Sequence, residues 1–342
     1  MSTDLVFAGG LEMSRNDSVL PFPHAAEEAQ LSEFLERVER VLETCADPGD
    51  WELTPMDSLS PGLRAYLVER GLMTPVFSRE TDPWKGFGLY RGGIASLEVN
   101  GRDHIRLMVS RAGEVLSGLW STLDELDDVL ESGLGFAYDE RWGYLTARAE
   151  DAGTGLRAHS LVHLPALMVT GQLGSVAVRL IGKGITLSPV WGGAGGLFQV
   201  SNKGGMGKAE LRIAEKVDAV SRQLGEQEYA MRKRLLEENP VQVRDYVGRS
   251  LGVAQQGWSM TAEEALGLVS AVQSGVDMGV IELDGFTPAS AFALMRRVQP
   301  GHIAMEELGE PDAEVDDPRF DEVRARLLRQ AFGSARTLDR RE

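Results

Sequence analysis

Hydrophobic positions in the first third of the chain recur with two different periods. Across residues 27–45, Leu31, Phe34, Leu35, Val38, Val41 and Leu42 return every three to four residues, forming one stripe of an amphipathic helix. Asp47-Pro48-Gly49 marks its stop. Residues 61–71 repeat the pattern on a shorter helix that ends on a glycine. The period then drops to two: Leu97 and Val99 precede Asn100-Gly101, and Ile105, Leu107 and Val109 alternate with polar residues after it. Asn-Gly between alternating runs predicts a β-hairpin, because its two-residue turn needs φ > 0 at both central positions. Further strands are expected at 143–148, 176–180, 184–191 and 197–202. A helix is expected to open after Gly153-Thr154-Gly155, and a long one to run from Lys208 to about Glu238. Strands and helices do not alternate in a βαβ rhythm, so the pattern predicts an α+β fold, a largely antiparallel sheet flanked by helices.

Pro240 is expected to close the long helix and the first domain, giving a mixed domain over residues 1–240 and a small all-α domain over 241–342. Thr261-x-x-Glu264 is a capping box ahead of an apolar-periodic run that reaches Ile281. Thr287-Pro288 places an N-cap before a proline at the first helical position, and that helix stops at Pro300-Gly301. Residues 306–317 are acidic and uncapped, which predicts a solvated linker. A last amphipathic helix over 318–332 carries Phe320, Val323, Leu327 and Leu328 on one face.

Composition narrows the class. With 342 residues, 43% hydrophobic and 25% charged, the chain is an ordinary globular protein with room for one large domain and a smaller companion. The longest apolar stretch, around 161–169, contains His163 and Pro165 and is too short for a bilayer, and MSTDLVFAGG has no signal-peptide pattern. A single cysteine, Cys45, excludes an intramolecular disulfide and points to a reducing, cytoplasmic compartment. Lys+Arg 35 against Asp+Glu 52 gives a net charge of −17, which argues against nucleic acid and anionic membranes as partners but leaves room for a local basic pocket. No metal-ligand set is read from the sequence.

Three short runs could carry chemistry. Gly153-Thr154-Gly155-Leu156-Arg157, read as a turn opening a helix, would aim backbone amides and an arginine at a phosphate, and is equally a tight turn with a surface arginine. In Asp103-His104-Ile105-Arg106, alternation on a strand puts His104 and Arg106 on one face, where they bind an anion or simply meet solvent. Gly192-Gly193-Ala194-Gly195-Gly196 is a loop that either admits a ligand closely or only connects two strands.

Together, and in this order, these runs resemble one family. GYLTARAEDAGTGLRAHSLVHLPAL (143–167) is similar to the signature region of the ATP:guanidino phosphotransferases. VNGRDHIR (99–106) resembles that family's N-E-E-D-H-x-R hairpin, FQVSNKGGMGKAE (198–210) its F-x-I-S-N element, and LVFAGGLEMSRN (5–16) its opening strand with S-x-R-x-R. A helical tail with Gln299-Pro300-Gly301 resembles the bacterial protein-arginine kinase branch. The resemblance implies that arginines clamp nucleotide phosphates while a hairpin glutamate orients and deprotonates a guanidinium. It assigns a residual Mg-ATP site to Arg15, His104, Arg106 and Arg157.

The departures fall on the chemistry. The two arginines of S-x-R-x-R correspond to Gly10 and Glu12, and the paired glutamates to Gly101 and Arg102. The reactive cysteine corresponds to Arg148, a further phosphate arginine to Ser188, and the aromatic-G-E-G-S-E loop to residues 191–196 without a carboxylate. Losing a general base costs roughly 10²–10⁴ in rate, and losing one electrostatic clamp roughly 10²–10³. A carboxylate about 4 Å from phosphate is repelled by roughly 4 kcal/mol at an effective dielectric of 20, so Glu12 opposes a nucleotide outright. If the hairpin and glycine loop use different registers, a neighbouring acid such as Glu98 stands in for the lost base. The chain therefore reads as a pseudokinase without catalytic residues or a required cofactor. Its expected role is that of a homodimeric regulator of an active protein-arginine kinase, or a reader of phosphoarginine proteins. The alternative is an active ATP-dependent kinase of protein arginines. Phe320-Asp321-Glu322-Val323-Arg324-Ala325 resembles the branch's R-D-x-x-R-A phosphoarginine element, with Asp321, Arg324 and Ala325 matching.

Overall fold

Alternating burial along the strands organises an eight-stranded sheet. Its first members are β1 (Val6–Arg15), β2 (Trp51–Pro55), β3 (Gly86–Tyr90), β4 (Ala95–Val99) and β5 (Ile105–Ala112). Two-residue strands β6 (Tyr138–Asp139) and β7 (Gly143–Tyr144) form a separate ribbon, after which β8 (Leu156–His163), β9 (Ile185–Pro189) and β10 (Leu197–Asn202) complete the sheet. The spatial order is β2-β3-β4-β5-β1-β8-β10-β9, antiparallel throughout, as the pattern predicts. The computed structural model describes residues 5–44, 50–113, 115–314 and 316–338; Cys45 and the Asp47-Pro48-Gly49 stop lie outside the described residues.

Helices α1 (Glu28–Thr44), α2 (Pro61–Glu69) and α3 (Leu116–Leu134) precede β6, and α4 (Pro165–Val169) and α5 (Leu173–Gly182) lie between β8 and β9. After β10 come α6 (Glu210–Glu238), α7 (Pro240–Gln256), α8 (Ala262–Asp277), α9 (Pro288–Arg297), the single turn α10 (Pro300–His302) and α11 (Arg319–Phe332). One sheet face, with Leu11, Met13, Leu97, Leu107, Leu156 and Val200, packs beneath Phe34 of α1, Leu119 of α3 and Val217 of α6. Burial of this kind is worth about 1.5–3 kcal/mol per large apolar side chain. The C-terminal helices build a second core around Val269, Phe292, Phe320 and Leu328, which takes in Phe7 of β1 and Leu197 of β10. Apart from a two-residue ribbon of β11 (Ile281–Glu282) and β12 (Arg336–Thr337), the regular structure of this region is helical. Thr261 and Thr287 cap α8 and α9 as their sequences require.

Several local expectations are overturned. Gly153-Thr154-Gly155 opens a strand, because Leu156, Ala158, Ser160 and Val162 are buried at every second position. Residues 176–180 are helical, since Leu173, Val176 and Leu180 follow the helical spacing and the last two are buried. Only Gly143 and Tyr144 of the stretch 143–148 are strand. Pro240 does not merely end α6; it opens α7 at the first helical position, where it lacks no hydrogen bond. Asn100 takes a φ of 58°, but Gly101 does not share it: residues 100–104 form a longer loop, tied by Asn100 N–H to the His104 carbonyl at 2.9 Å. The acidic stretch 306–317 is largely exposed among its described residues, as expected, but it is also tied down by side-chain pairs. Glu307 accepts from Arg297 and Arg326, Arg319 grips Glu310 and Asp317, and Glu306 accepts from Tyr66.

Candidate functional site

The face of the sheet turned away from α1, α3 and α6 carries the polar ladder. Residues paired across antiparallel strands point to the same side. The register sets Glu98 opposite Arg106, Glu12 opposite Arg157, and Gly10 opposite His159. Glu98, Arg106, Glu12, Arg157 and His159 therefore stand in one row across β4, β5, β1 and β8.

Within that row the cations are already taken. Arg106 Nη1 donates to Glu12 Oε2 at 2.9 Å, with the two side chains 16% and 15% exposed. Burial opposes the charge on Arg106, but Glu12, Glu98, Asp103 and Asp151 outweigh it and raise its pKa. His159 Nδ1 lies 3.4 Å from Glu12 Oε1, and burial, helped by Arg157 and Arg106, lowers its pKa against the pull of Glu12. Arg157 donates to Asp151 Oδ1 at 2.8 Å. A Cβ at Gly10 would fall 2.6 Å from two His159 ring atoms, so the imidazole fills the space an arginine at position 10 would need. His159 escapes sequence reasoning because its role comes from a cross-strand neighbour.

The other two residues assigned to a nucleotide lie elsewhere. Arg15 is buried beneath the site, bonded to Asp127 Oδ2 at 2.7 Å and the Thr154 carbonyl at 2.9 Å, with its guanidinium carbon 3.6 Å from the Tyr144 ring centroid. His104 is not on a strand and does not share a face with Arg106. It sits in the loop before β5, fully buried, with its ring 4.8 Å from that of Phe34, and burial pushes its pKa down to about 4. The retained hairpin residues are likewise structural. Asn100 donates to the Leu31 and Trp84 carbonyls, and Asp103 accepts from Asn16 and from Ala147 N–H.

Beside the hairpin, Glu98, Arg102, Asp103, Arg106 and Gly101 line a cavity of about 300 Å³. Gly101 and Arg102 supply no carboxylate, and Gly101 rests against Phe77. Glu98 does face this cavity. Burial pushes its carboxyl up to about 7, against the opposing pull of Arg106 and of the Thr74 N–H it accepts at 2.5 Å. On the far side of Glu12, a cavity of about 520 Å³ extends from Glu12 and His159 to Arg70, Trp191 and Phe292.

The glycine runs do not cradle an anion. Because Gly155 leads into β8, this run offers no helix N-terminus to an anion. In the loop Trp191–Gly196, Gly195 packs on Leu266 of α8 and Gly196 on Pro165, so the loop serves the join to the C-terminal helices. Ser188 lies exposed on β9. A triphosphate needs guanidinium donors free to receive it. Arg15, Arg106 and Arg157 are each bound to a carboxylate, and Glu12 stands among them, so this donor set does not fit the phosphates of Mg-ATP.

The C-terminal element is also closed. Arg324 is 5% exposed and Ala325 fully buried; Arg324 Nε donates to the Val298 carbonyl at 2.8 Å and Nη1 to Asp321 at 2.5 Å. Phe320 fills the core where the resembling element has its first arginine.

Residues 33–231 match the family model described as "ATP:guanido phosphotransferase, C-terminal catalytic domain", and residues 240–342 that described as "Protein-arginine kinase McsB C-terminal domain". A protein-arginine kinase of Halothermothrix orenii is 35% identical over 307 residues, covering 88% of this chain and 86% of its own. Another, from Syntrophomonas wolfei, is 31% identical over 327 residues, covering 94% and 90%. Among solved structures, the duplicated taurocyamine kinase of Schistosoma mansoni superposes with a TM-score of 0.61 at 21% identity, over 73% of this chain and 37% of that one. Lombricine kinase gives 0.59 at 16% identity, over 70% and 68%. The polar ladder thus lies on the fold of the guanidino kinases, and this chain belongs to the ATP:guanido phosphotransferase family, in its protein-arginine kinase branch.

Proposed function

We propose that this chain is a catalytically silent member of the branch, which acts as a partner or regulator of an active protein-arginine kinase. The observation that carries this reading is Glu12, clasped by Arg106 at 2.9 Å and flanked by His159, where a family member would place phosphate-binding arginines. A second observation supports it: Asn100, Asp103 and His104, which the chain retains, hold the hairpin, while the positions replaced at Gly101 and Arg102 are those that would meet substrate. The reading as a phosphoarginine reader has less support, because Asp321 and Arg324 satisfy each other inside α11.

Incubating the purified chain with Mg-ATP and an arginine-rich protein tests the proposal. Acid-labile phosphoarginine at the level of a no-enzyme control is the expected result; formation above it, abolished in Arg106→Gln, overturns the reading. One observation favours the alternative of an active kinase: Glu98, with a pKa near 7, faces the hairpin cavity as a general base would. On that alternative Glu98→Gln abolishes measurable turnover.

A further inference from the structure

A further cavity, of about 410 Å³, lies where the C-terminal helices meet α4, and it shares no lining residue with either cavity on the polar face. Its volume is within the range of small-molecule sites. Met168 and Val169 of α4, Val243 and Tyr246 of α7, and Gly267, Ser270 and Ser274 of α8 wall it. Met168, Val169 and Tyr246 are exposed together there, and a concave apolar grouping of this kind marks an interaction site. Gly267, Ser270 and Ser274 recur every three to four residues, so they share one face of α8. Gly267 sits inside the helix, where glycine is destabilising, yet a Cβ there would meet nothing within 4 Å. Packing does not require the glycine, and the space it leaves belongs to the cavity. Beside it the polar groups are incompletely spent. Arg232 Nη2 lies 3.0 Å from His163 Nδ1, and a guanidinium only donates, so Nε2 carries the ring proton and gives it to Ser270 Oγ at 2.8 Å. The hydroxyl proton of Ser270 then has no taker among the described residues. Ser274 is 8% exposed, and its hydroxyl has no partner among the described residues. Buried hydroxyls normally find partners, so two with donors to spare at one cavity wall suit a ligand that brings an acceptor. Usable charge is missing from the wall. Arg232, the one charged residue among the described residues lining the cavity, is clasped by Glu228 at 2.8 Å and Asp277 at 2.7 Å.

We propose that this cavity binds a small neutral organic molecule, an apolar body bearing a carbonyl or similar acceptor. The body lies against Met168, Val243 and Tyr246 over Gly267, and the acceptor takes the hydroxyl protons of Ser270 and Ser274. An ionic ligand is disfavoured because it would be desolvated with no free charge to meet it. Such a ligand joins α4 to α7 and α8, tying the sheet to the C-terminal helices. The site is independent of phosphoryl transfer: phosphoarginine formation by this chain would overturn the preceding proposal and leave this one intact.

Calorimetric titration of the full chain with N-benzylacetamide, benzoate and benzylamine tests it. Saturable binding of the neutral amide with Kd below about 1 mM, and at least about tenfold weaker binding of both ions, is expected. Gly267→Leu is expected to abolish the binding by filling the space, with an unchanged or higher thermal midpoint because leucine favours a helix over glycine. Ser274→Ala is expected to weaken binding about fivefold without lowering the midpoint, since the hydroxyl it removes is unpaired in the free chain. If Gly267→Leu does not fold, Ser274→Ala decides alone. No binding of the amide at about 10 mM, equal or tighter binding of either ion, or affinity within about twofold of the native chain in either folded variant overturns the proposal. So does self-association that Gly267→Leu abolishes while the amide fails to bind, which would assign the cavity to a second copy of this chain.

Discussion

Replacing Glu12 by glutamine tests whether an internal carboxylate keeps nucleotide out. To hold a phosphate, Arg106 must release an acid 2.9 Å away, and the incoming phosphate must tolerate that same acid. Two unit charges about 4 Å apart interact by roughly 4 kcal/mol at an effective dielectric of 20. The side chains are 16% and 15% exposed, so water screens part of this, and about half is a working figure. Some 2 kcal/mol corresponds to about thirtyfold in affinity. Glutamine keeps the volume and an acceptor for Arg106, so the fold is retained while the charge is removed. Calorimetric titration with Mg-ATP is therefore expected to show about thirtyfold tighter binding in Glu12→Gln, and loss of the gain when Arg106→Gln is added. Equal affinity in native chain and variant would refute the reasoning, as would micromolar binding by the native chain.

Burial of Glu98 gives stability a defined pH dependence. Its carboxyl is raised from 4.5 to about 7, so between those values the folded chain keeps a proton that the unfolded chain has released, and stability falls as pH rises through that window. Glu98→Gln is expected to be more stable than the native chain at about pH 8 and equal to it at about pH 4 in urea denaturation; curves that stay parallel across the range contradict the assignment. Arg324→Ala removes a buried donor from the Val298 carbonyl and is expected to cost about 1–3 kcal/mol, read as a lowered thermal midpoint. An unchanged midpoint would return Arg324 to the role of a free recognition residue.

Sequence periodicity determined much of this molecule by itself. Leu31, Phe34, Val38 and Leu42 could bury only on one stripe of α1. A one-residue slip of register was excluded at β5, because Ile105, Leu107 and Val109 alternate strictly and the slip would turn all three to the polar face. Motif order fixed the family, and the replacements at Gly10, Glu12, Gly101 and Arg102 were visible as residue types. Only the tertiary structure decided what those types do. Arg15, Arg106 and Arg157 look alike in a sequence, but one is buried on Asp127 while the other two reach the open face. His104 turned inward onto Phe34, Glu98 outward into a cavity, and Gly155 into a strand instead of a helix. These outcomes depend on partners far away in the chain or on a neighbouring strand. Periodicity specifies which face of an element is apolar, whereas charge pairing is a through-space effect that falls with distance and burial.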